Sequence, residues 1–445
     1  MELHELTAVQ IVESLRRREC SPVEIVEALL RRIDSLDGDL MAWETVDRDG
    51  ALAAARRWGE QLEAGITAPL LGVPLGIKDI FYTAGLRTTG GSPIFRDFVP
   101  DHDATSVMRL RQAGAIVLGK TVTVEFAYVD PPRTRNPWDH AHTPGGSSSG
   151  SAVAVAARMV PAALGSQTGG STLRPAAYVG VVGLKPTYGR VSRFGVMVAA
   201  WSLDHVGFLT RTVEDAALLL QAAAGSDPLD PSSSGAPVGN HVEAVRRRER
   251  APRLGLVMDC LELAHPDAAA HLREVVGRFE REGAEIRDVR LPASIEEMTA
   301  IRNVINQVEC ADLHQKTWRQ HAEQYGPRIR ALVEVGQLIP GTAYVHAQRL
   351  RRRLRPRMEK LLEGIDCLLM PTVPDVAPDT STTGNSSFQA IWSLFGFPAI
   401  SLPSGLNRER LPLGTQLVAL PFRESTLLGA AAWCERVLGP MPSPC

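Results

Sequence analysis

The 445-residue sequence contains few aromatic side chains and almost no net charge. Phe, Trp and Tyr make up 5% of it, and 48 basic residues face 50 acidic ones, which leaves a formal charge of −2. A nearly neutral chain has no global attraction to nucleic acid or to an anionic membrane. We therefore expect neither of these partners, and a small-molecule substrate selected by a local pocket.

Long apolar runs and paired cysteines are also missing. No stretch of about 18 uncharged apolar residues occurs, so no transmembrane helix is expected. The start, MELHELTAVQIVESL, lacks the basic and apolar regions of a signal peptide. The six cysteines are scattered without a CxxC pair, which argues against a zinc site or a redox motif. A cytoplasmic protein without a bound metal is predicted.

The pattern of predicted elements changes along the chain. Residues 1–65 have apolar side chains at helical spacing, which predicts a first helix from Thr7, and the capping box Ser21-Pro22-Val23-Glu24 predicts the start of a second. From residue 66 to 225, short apolar runs alternate with Gly-rich turns and helices, which is typical of βαβ units and of a largely parallel or mixed sheet. Residues 226–250 are rich in Pro, Ser and Gly, and this composition predicts a break in regular structure. A predicted strand at Arg253–Met258 and mostly helical sequence follow, and strands return after residue 366.

Residues 144–175, PGGSSSGSAVAVAARMVPAALGSQTGGSTLRP, are the most informative about function. A flexible linker is flanked by polar sequence, whereas this segment surrounds an Ala/Val run that must be buried. Gly165–Thr172 has the spacing of a P-loop, but Ser171 replaces the lysine that reaches the phosphates. Ser148 lies in a GxSxG pattern, yet the Pro and Gly before it argue against the strand that a nucleophile elbow needs.

A fourth interpretation uses the whole segment together with an upstream lysine. Ser147 and Ser171 are flanked by glycines and lie 24 residues apart, and Lys78 ends an apolar run. The motifs GVPLGIKD, PGGSSSGSA and GSQTGGS together resemble the lysine, cis-serine and nucleophile motifs of the amidase signature family. The similarity covers most of residues 5–225 and 366–430.

The resemblance implies an α/β amidase signature fold, with a central mixed, largely parallel sheet flanked by helices on both faces. It further implies that residues 1–445 form a single domain. Its four segments are N-terminal helices (1–65), a signature core (66–225), a variable helical region that caps the substrate (226–365) and the C-terminal part of the core sheet (366–445).

A serine hydroxyl becomes a good nucleophile only when a base takes its proton. Lysine can be that base only while neutral, and burial at a strand end lowers the pKa of an amine. The resemblance implies that Ser171 attacks the carbonyl carbon, that Ser147 relays its proton to Lys78, and that the Gly146–Ser147 peptide bond is cis. No cofactor is needed for this chemistry.

The run from Thr168 through Gly169 and Gly170 to Ser171 offers successive backbone N–H groups with little side-chain obstruction. Such groups suit an oxyanion hole, which stabilises the negative oxygen of the tetrahedral intermediate. We therefore predict an oxyanion hole in these four residues.

Three departures from the usual family motifs concern specificity. Gln167 stands where most members have Asp, Arg174 lies three residues after Ser171, and Val122 ends the usual KTN motif. These departures favour the malonamidase-like branch, in which an arginine at this position engages the substrate's carboxylate. We expect Arg174, Gln167 and Gly146 to bind substrate, with Arg174 forming a bidentate pair to an acidic acyl group. Burial of Arg174 against a structural carboxylate is the alternative.

The resulting prediction is an amidase that hydrolyses the C–N bond of small amides, other than peptide bonds, through an acyl-enzyme. One alternative is a carbamate (urethane) or ester hydrolase with the same three residues. Another is the A subunit of an amidotransferase, a glutamine-dependent ammonia donor for tRNA. A third is an inactive scaffold or binding subunit. A small amide or carbamate is the expected partner, a homodimer is possible, and the substrate pockets are expected in residues 121–135 and 300–345.

Overall fold

The computed structural model describes residues 2–247 and 250–444, which form fifteen α-helices and one eleven-stranded sheet. The helices are α1 (Ala8–Arg16), α2 (Pro22–Leu40), α3 (Arg48–Glu63), α4 (Thr105–Gln112), α5 (Ser149–Ala156), α6 (Leu173–Val179), α7 (Val213–Ala223), α8 (His241–Arg246), α9 (Met258–Leu263), α10 (Pro266–Arg281), α11 (Ile295–His321), α12 (Pro327–Leu338), α13 (Gly341–Lys360), α14 (Ser387–Phe395) and α15 (Glu424–Leu438). The strands are β1 (Trp43–Val46), β2 (Pro74–Lys78), β3 (Ile116–Thr121), β4 (Ala162–Gln167), β5 (Val182–Lys185), β6 (His205–Thr210), β7 (Arg253–Val257), β8 (Glu285–Val289), β9 (Cys367–Pro371), β10 (Ala399–Leu406) and β11 (Pro412–Val418).

The strands follow the order β1-β3-β2-β4-β6-β5-β10-β11-β9-β7-β8. Parallel pairing joins β2 to β3 and β4, and β7 to β8 and β9. The remaining described pairings are antiparallel. The predicted α/β class with a mixed sheet is confirmed. Parallel pairing is concentrated in two groups of three strands, so the antiparallel share is larger than the βαβ pattern indicated.

The N-terminal helices begin where the sequence predicts. Thr7 and Ser21 each accept a hydrogen bond from the backbone N–H three residues on, and each forms a complete capping box. Both helices bury an apolar stripe, for example Ile11 and Leu15 in α1. None of the helices in the described ranges combines the length and apolar character needed to cross a bilayer.

The region 226–365 contains the strand predicted at Arg253–Met258, which is confirmed as β7, and one further strand, β8, that was not predicted. It contributes β7 and β8 to one edge of the sheet, where Leu254–Leu256 of β7 lie beside Cys367–Leu369 of β9 in parallel register. The predicted capping region is therefore joined to the core by shared backbone hydrogen bonds. The division into four segments of one domain stays a prediction.

Part of the predicted break at 226–250 is hydrogen-bonded to the core of the protein. Asp227 and Asp230 are buried: Asp227 accepts a hydrogen bond from Thr105, and Asp230 accepts one from the backbone of Arg193. The short helix α8 also falls within this stretch. Residues 248 and 249 of the predicted break, together with the terminal residues 1 and 445, lie outside the described residues.

Parallel pairing of β2 with β4 fixes where the three sequence motifs meet. Ile77 lies beside Leu164, and parallel strands end at the same edge of a sheet, so Lys78 lies close to the residues that end β4. Helix α5 reaches this edge because the backbone N–H of Gly150 donates to the oxygen of Val122, just after β3, at 3.0 Å. The lysine, cis-serine and nucleophile motifs therefore lie together at one edge.

The close approach at Gly150 predicts that a single methyl group will destabilise the fold. A Cβ atom there would overlap backbone atoms of Ala42 and Val122, which cannot rotate away. We expect Gly150→Ala to lower the free energy of unfolding by about 1–3 kcal/mol. The matched control is Gly59→Ala in α3, where a Cβ meets nothing within 4 Å. It should raise the free energy of unfolding by about 0.5–1 kcal/mol. Denaturant unfolding measures both variants, and equal effects would contradict the packing argument.

Candidate active site

Lys78 is fully buried at the end of β2. Its Nζ donates a hydrogen bond to Oγ of Ser147 and another to Oγ of Ser166, each at 2.7 Å. The structure thus brings together two of the three residues predicted to be catalytic. Ser166 was missed by the sequence analysis, although it lies inside the GSQTGGS motif.

The electrostatic setting of Lys78 favours its neutral form. Burial lowers the pKa of Lys78 well below its ordinary value, and the carboxylate of Asp204 only partly opposes this shift. Among the described residues Lys78 forms no ion pair. A neutral amine that contacts a serine hydroxyl can accept its proton.

Asp79 does not neutralise its neighbour because it serves a different amine. Its Oδ1 lies 3.3 Å from Nζ of Lys120, and its Oδ2 accepts hydrogen bonds from the backbone and side chain of Thr89. Lys120 also donates to the oxygen of Phe81 and to Oγ1 of Thr88. Successive strand residues point to opposite faces, so Asp79 and Lys78 have separate partners.

Ser147 is fully buried, and the peptide bond that precedes it, Gly146–Ser147, is cis, as the family resemblance implied. The oxygen of Gly146 accepts a hydrogen bond of 2.6 Å from the Arg174 guanidinium. The same guanidinium donates to Oγ1 of Thr383 at 3.0 Å and to the oxygen of Gly384 at 2.6 Å. Arg174 therefore ties the loop of Ser147 to the loop before α14.

These contacts revise the expectations for Arg174. The alternative of a structural carboxylate is wrong, since its partners are two carbonyl oxygens and a hydroxyl. Burial lowers the pKa of Arg174 to about 10, which leaves the side chain cationic at neutral pH. Three of its donated bonds are already used within the protein. Contact of Arg174 or of Gly146 with a substrate stays a prediction.

Ser171 lies after β4, at the end of the predicted oxyanion loop. Its backbone oxygen accepts a hydrogen bond of 3.2 Å from the N–H of Ser148, which joins the two serine motifs. The backbone N–H groups of Gly169, Gly170 and Ser171 donate no hydrogen bond to another described residue. Unused donors beside a nucleophile are what an oxyanion requires.

Gln167 forms hydrogen bonds to the residues that directly follow Ser171. Its Oε1 accepts hydrogen bonds from the N–H groups of Thr172 and Leu173, both at 3.0 Å, and its Nε2 donates to Oγ of Ser393 at 3.2 Å. Two donors at the start of α6 are thereby satisfied. In this structure the amide of Gln167 is engaged within the protein, and Gln167 is not among the described lining residues of the cavity beside Ser171. A substrate-binding role of Gln167 stays a prediction.

Asp204 is a second residue that the sequence analysis did not single out, although the segment LDHVGFLT belongs to the family resemblance. Its carboxylate accepts a hydrogen bond of 2.6 Å from Oγ1 of Thr168 and two more from the N–H groups of Ala199 and Ala200. Burial raises the pKa of Asp204, and these hydrogen bonds oppose the shift. Asp204 therefore positions the first residue of the oxyanion loop.

The loop and Ser171 open into a cavity of about 210 Å³. Its lining comes from both segments in which the sequence predicts the pockets, and none of its described lining residues is an Asp or a Glu. Lys78 and Ser147 are not in the lining, so Ser171 is the predicted catalytic side chain that faces the cavity. The lining residues are Ala127, Tyr128, Val129, Thr168, Gly169, Gly170, Ser171, Arg174, Arg302, Asn303, Asn306, Gln307, Leu332 and Ser386.

Comparison with known proteins places these motifs in a family. The model of the family described as Amidase matches residues 24–428. The A subunit of glutamyl-tRNA(Gln) amidotransferase from Geobacter sp. (strain M21) is 38% identical, over 98% of this chain and 98% of that protein. The relatives do not single out the malonamidase-like branch.

Solved structures show the same similarity over nearly the whole chain. The native peptide amidase from Stenotrophomonas maltophilia has a TM-score of 0.88 at 30% identity, covering 99% of this chain and 98% of that one. A chain from a "vestigial protein complex", associated with the origins of an s-triazine catabolic enzyme, has a TM-score of 0.91 at 32% identity, covering 96% and 97%. In motifs, in fold and in sequence along its length, the chain belongs to the amidase signature family.

Proposed function

We propose that the protein hydrolyses the C–N bond of small amides through an acyl-enzyme on Ser171. The observation that carries this proposal is the 2.7 Å hydrogen bond between buried Lys78 and Ser147. A buried amine without an ion-pair partner can act as a base. Ser147 is linked to Ser171 through the next residue, because the backbone N–H of Ser148 donates a hydrogen bond to the backbone oxygen of Ser171. The small-molecule substrate, the cytoplasmic location and a homodimer are part of this proposal.

In the first half of the reaction, Lys78 takes the proton of Ser147 while Ser147 takes the proton of Ser171. The freed Oγ of Ser171 forms a bond to the carbonyl carbon, and the carbonyl oxygen becomes an oxyanion. The unused N–H groups of Gly169, Gly170 and Ser171 stabilise that oxygen. One such donor typically contributes about 3–4 kcal/mol to the barrier reduction.

In the second half, the C–N bond breaks and the leaving nitrogen receives the proton from Lys78 through Ser147. A water molecule then loses a proton along the same path and attacks the ester carbon. The acid leaves, and Ser171 recovers its hydrogen. The same steps serve carbamates and esters, so those substrates are alternatives within one mechanism.

A second candidate function is the supply of ammonia from glutamine to an amidotransferase. Its support is the 38% identity, over 98% of both chains, to a protein named as the A subunit of glutamyl-tRNA(Gln) amidotransferase. The same acyl-enzyme would form from the side-chain amide of glutamine, with ammonia as the leaving group. A scaffold without catalysis is less well supported, because lysine and both serines are present and Lys78 contacts Ser147.

Removal of either end of the proton path should abolish turnover. Ser171→Ala deletes the nucleophile and Lys78→Ala deletes the base, so each should lower kcat/KM by about three orders of magnitude or more. Steady-state kinetics on a hydrolysed amide measures the loss. The control is Ser149→Ala in the same motif, whose buried Oγ has no hydrogen-bond partner among the described residues. It should retain activity, and a Ser171→Ala enzyme as active as this control would refute the proposal.

The lowered pKa of Lys78 predicts an acid-side loss of activity. As the pH falls through that pKa, the amine gains a proton and can no longer accept one from Ser147, so kcat/KM should fall. Burial also lowers the pKa of Lys185, to about 7, and the hydrogen bonds of this side chain to described residues go to the carbonyls of Pro186 and Phe397, not to a serine. Lys185→Met should leave the inflection of the kcat/KM profile in place. A profile that does not fall toward acid pH would contradict Lys78 as the base.

The two candidate functions differ in what the isolated chain does. A free-standing amidase should hydrolyse members of a panel of small amides and carbamates without any other protein. An ammonia donor should prefer glutamine and should be stimulated by its partner proteins together with glutamyl-tRNA(Gln). Release of ammonia or amine, measured for the purified chain with the panel and with glutamine, separates them. Turnover confined to glutamine would overturn the first candidate in favour of the second.

A further inference from the structure

Arg302 places a guanidinium beside the oxyanion loop. It lies on α11, more than one hundred residues from Ser171 in sequence, and both residues line the same cavity. A Cβ atom built on Gly169 would lie 2.8 Å from Nη2 of Arg302. The cation is therefore in van der Waals range of the loop that is expected to face the reacting carbonyl.

The partners of Arg302 within the protein do not satisfy it. Its Nη1 donates a hydrogen bond to Oδ1 of Asn303 at 3.1 Å, while its buried Nε has no partner and the side chain forms no ion pair among the described residues. A half-buried guanidinium with unused donors is costly unless an anion satisfies them. Its fork of N–H groups matches the two oxygens of a carboxylate.

The other cationic side chain in the lining of the cavity, Arg174, already forms hydrogen bonds within the protein. Arg174 donates to Gly146, Thr383 and Gly384, so its guanidinium belongs to the scaffold of the cis-peptide loop. The sequence-based expectation that an arginine anchors an acidic substrate therefore fits Arg302 better than Arg174. The Nε atom is without a partner in both arginines, but Nη2 of Arg302 also makes no hydrogen bond among the described residues, and Arg302 lines the cavity together with Ser171.

The rest of the lining indicates which anions fit. Amide and hydroxyl side chains such as Asn306 and Ser386 surround the two arginines, and none of the described lining residues is an Asp or a Glu. An ammonium group beside the carboxylate, as in glutamine, would find two cations in the lining. The carboxylate of Asp204, which acts electrostatically on Arg302, is not in the lining and already accepts hydrogen bonds from Thr168, Ala199 and Ala200. Oδ1 of Asn306, buried without a partner, offers a neutral acceptor only.

We propose that Arg302 binds the carboxylate of the substrate, and that the substrate class is amides that carry a carboxylate but no ammonium group. This inference rests on the proposed function, hydrolysis at Ser171. Arg302 acts in binding and specificity, so its effect belongs mainly in KM, whereas Ser171 and Lys78 act in the chemical step.

Three amides of one chain length test the proposal: glutaramate, which is anionic, pentanamide, which is neutral, and glutamine, which adds an ammonium to glutaramate. The wild-type enzyme should hydrolyse glutaramate with the highest kcat/KM. Arg302→Met should lower kcat/KM for glutaramate by about 10–100-fold, mainly through KM, and should leave pentanamide within about twofold. Arg302→Lys should recover part of the loss, because the charge returns without the fork.

A matched control and a binding measurement keep the outcomes separate. Arg319→Met removes an exposed cation from the same helix outside the cavity and should not change the preference. Calorimetry with glutaramate and the inactive Ser171→Ala protein should show binding that weakens at least tenfold in Ser171→Ala/Arg302→Met.

Two results would overturn the inference while leaving hydrolysis at Ser171 intact: a wild-type enzyme that favours pentanamide or glutamine, or an Arg302→Met enzyme that loses all three activities equally. Absence of glutaramate binding would overturn it as well. Binding that depends on Arg302, combined with no hydrolysis of any amide by the wild-type enzyme, would instead refute the proposed function.

Discussion

The burial of one amine without an opposite charge is the constraint on which the site depends. Lys78 ends a strand that is buried along its whole length, and its direct contacts are two hydroxyl groups. The nearest carboxylate in sequence, Asp79, is paired with Lys120 on the other face. Desolvation is therefore not offset by an ion pair, and burial lowers the pKa of Lys78 well below its ordinary value, which favours the form that accepts a proton.

Around this amine, polar side chains fix two loops that have no regular structure of their own. Arg174 donates a hydrogen bond to the oxygen of Gly146 in the loop of Ser147. In the loop of Ser171, Gln167 accepts a hydrogen bond from the N–H of Thr172, and Asp204 accepts one from Oγ1 of Thr168. Each group is buried and hydrogen-bonded, so the loops are positioned by the interior rather than by solvent-exposed contacts. The N–H groups of Gly169, Gly170 and Ser171 have no acceptor among the described residues, while Gln167 and Asp204 bind the residues on either side of them in sequence.

The residues proposed for the chemical step and the residues that form most of the cavity wall come from different segments of the chain. The residues proposed to carry the proton, Lys78 and the two serines, lie at the edge where β2 and β4 end, on strands and loops of residues 66–225. The walls of the cavity come largely from α11, α12 and the segment after β3, which contribute Arg302, Leu332 and Tyr128. The contact of Lys78 with Ser147 involves none of these wall residues. The proteins similar to this chain carry different names, a peptide amidase and the A subunit of an amidotransferase.

From the sequence alone, local periodicity and capping predicted the α/β class, the mixed sheet and the helix starts at Thr7 and Ser21, because these features are encoded locally. The meeting of Lys78 with Ser147 was predicted through the resemblance of three short motifs to the amidase signature family. The sequence did not reveal Ser166 as the second partner of Lys78, the scaffold roles of Gln167 and Arg174, or the placement of Arg302 over Gly169. Nor did it show that β7 and β8 complete the sheet edge. Those features arise from contacts between distant segments, and only the tertiary packing decides which donors are used within the protein and which are left for a substrate.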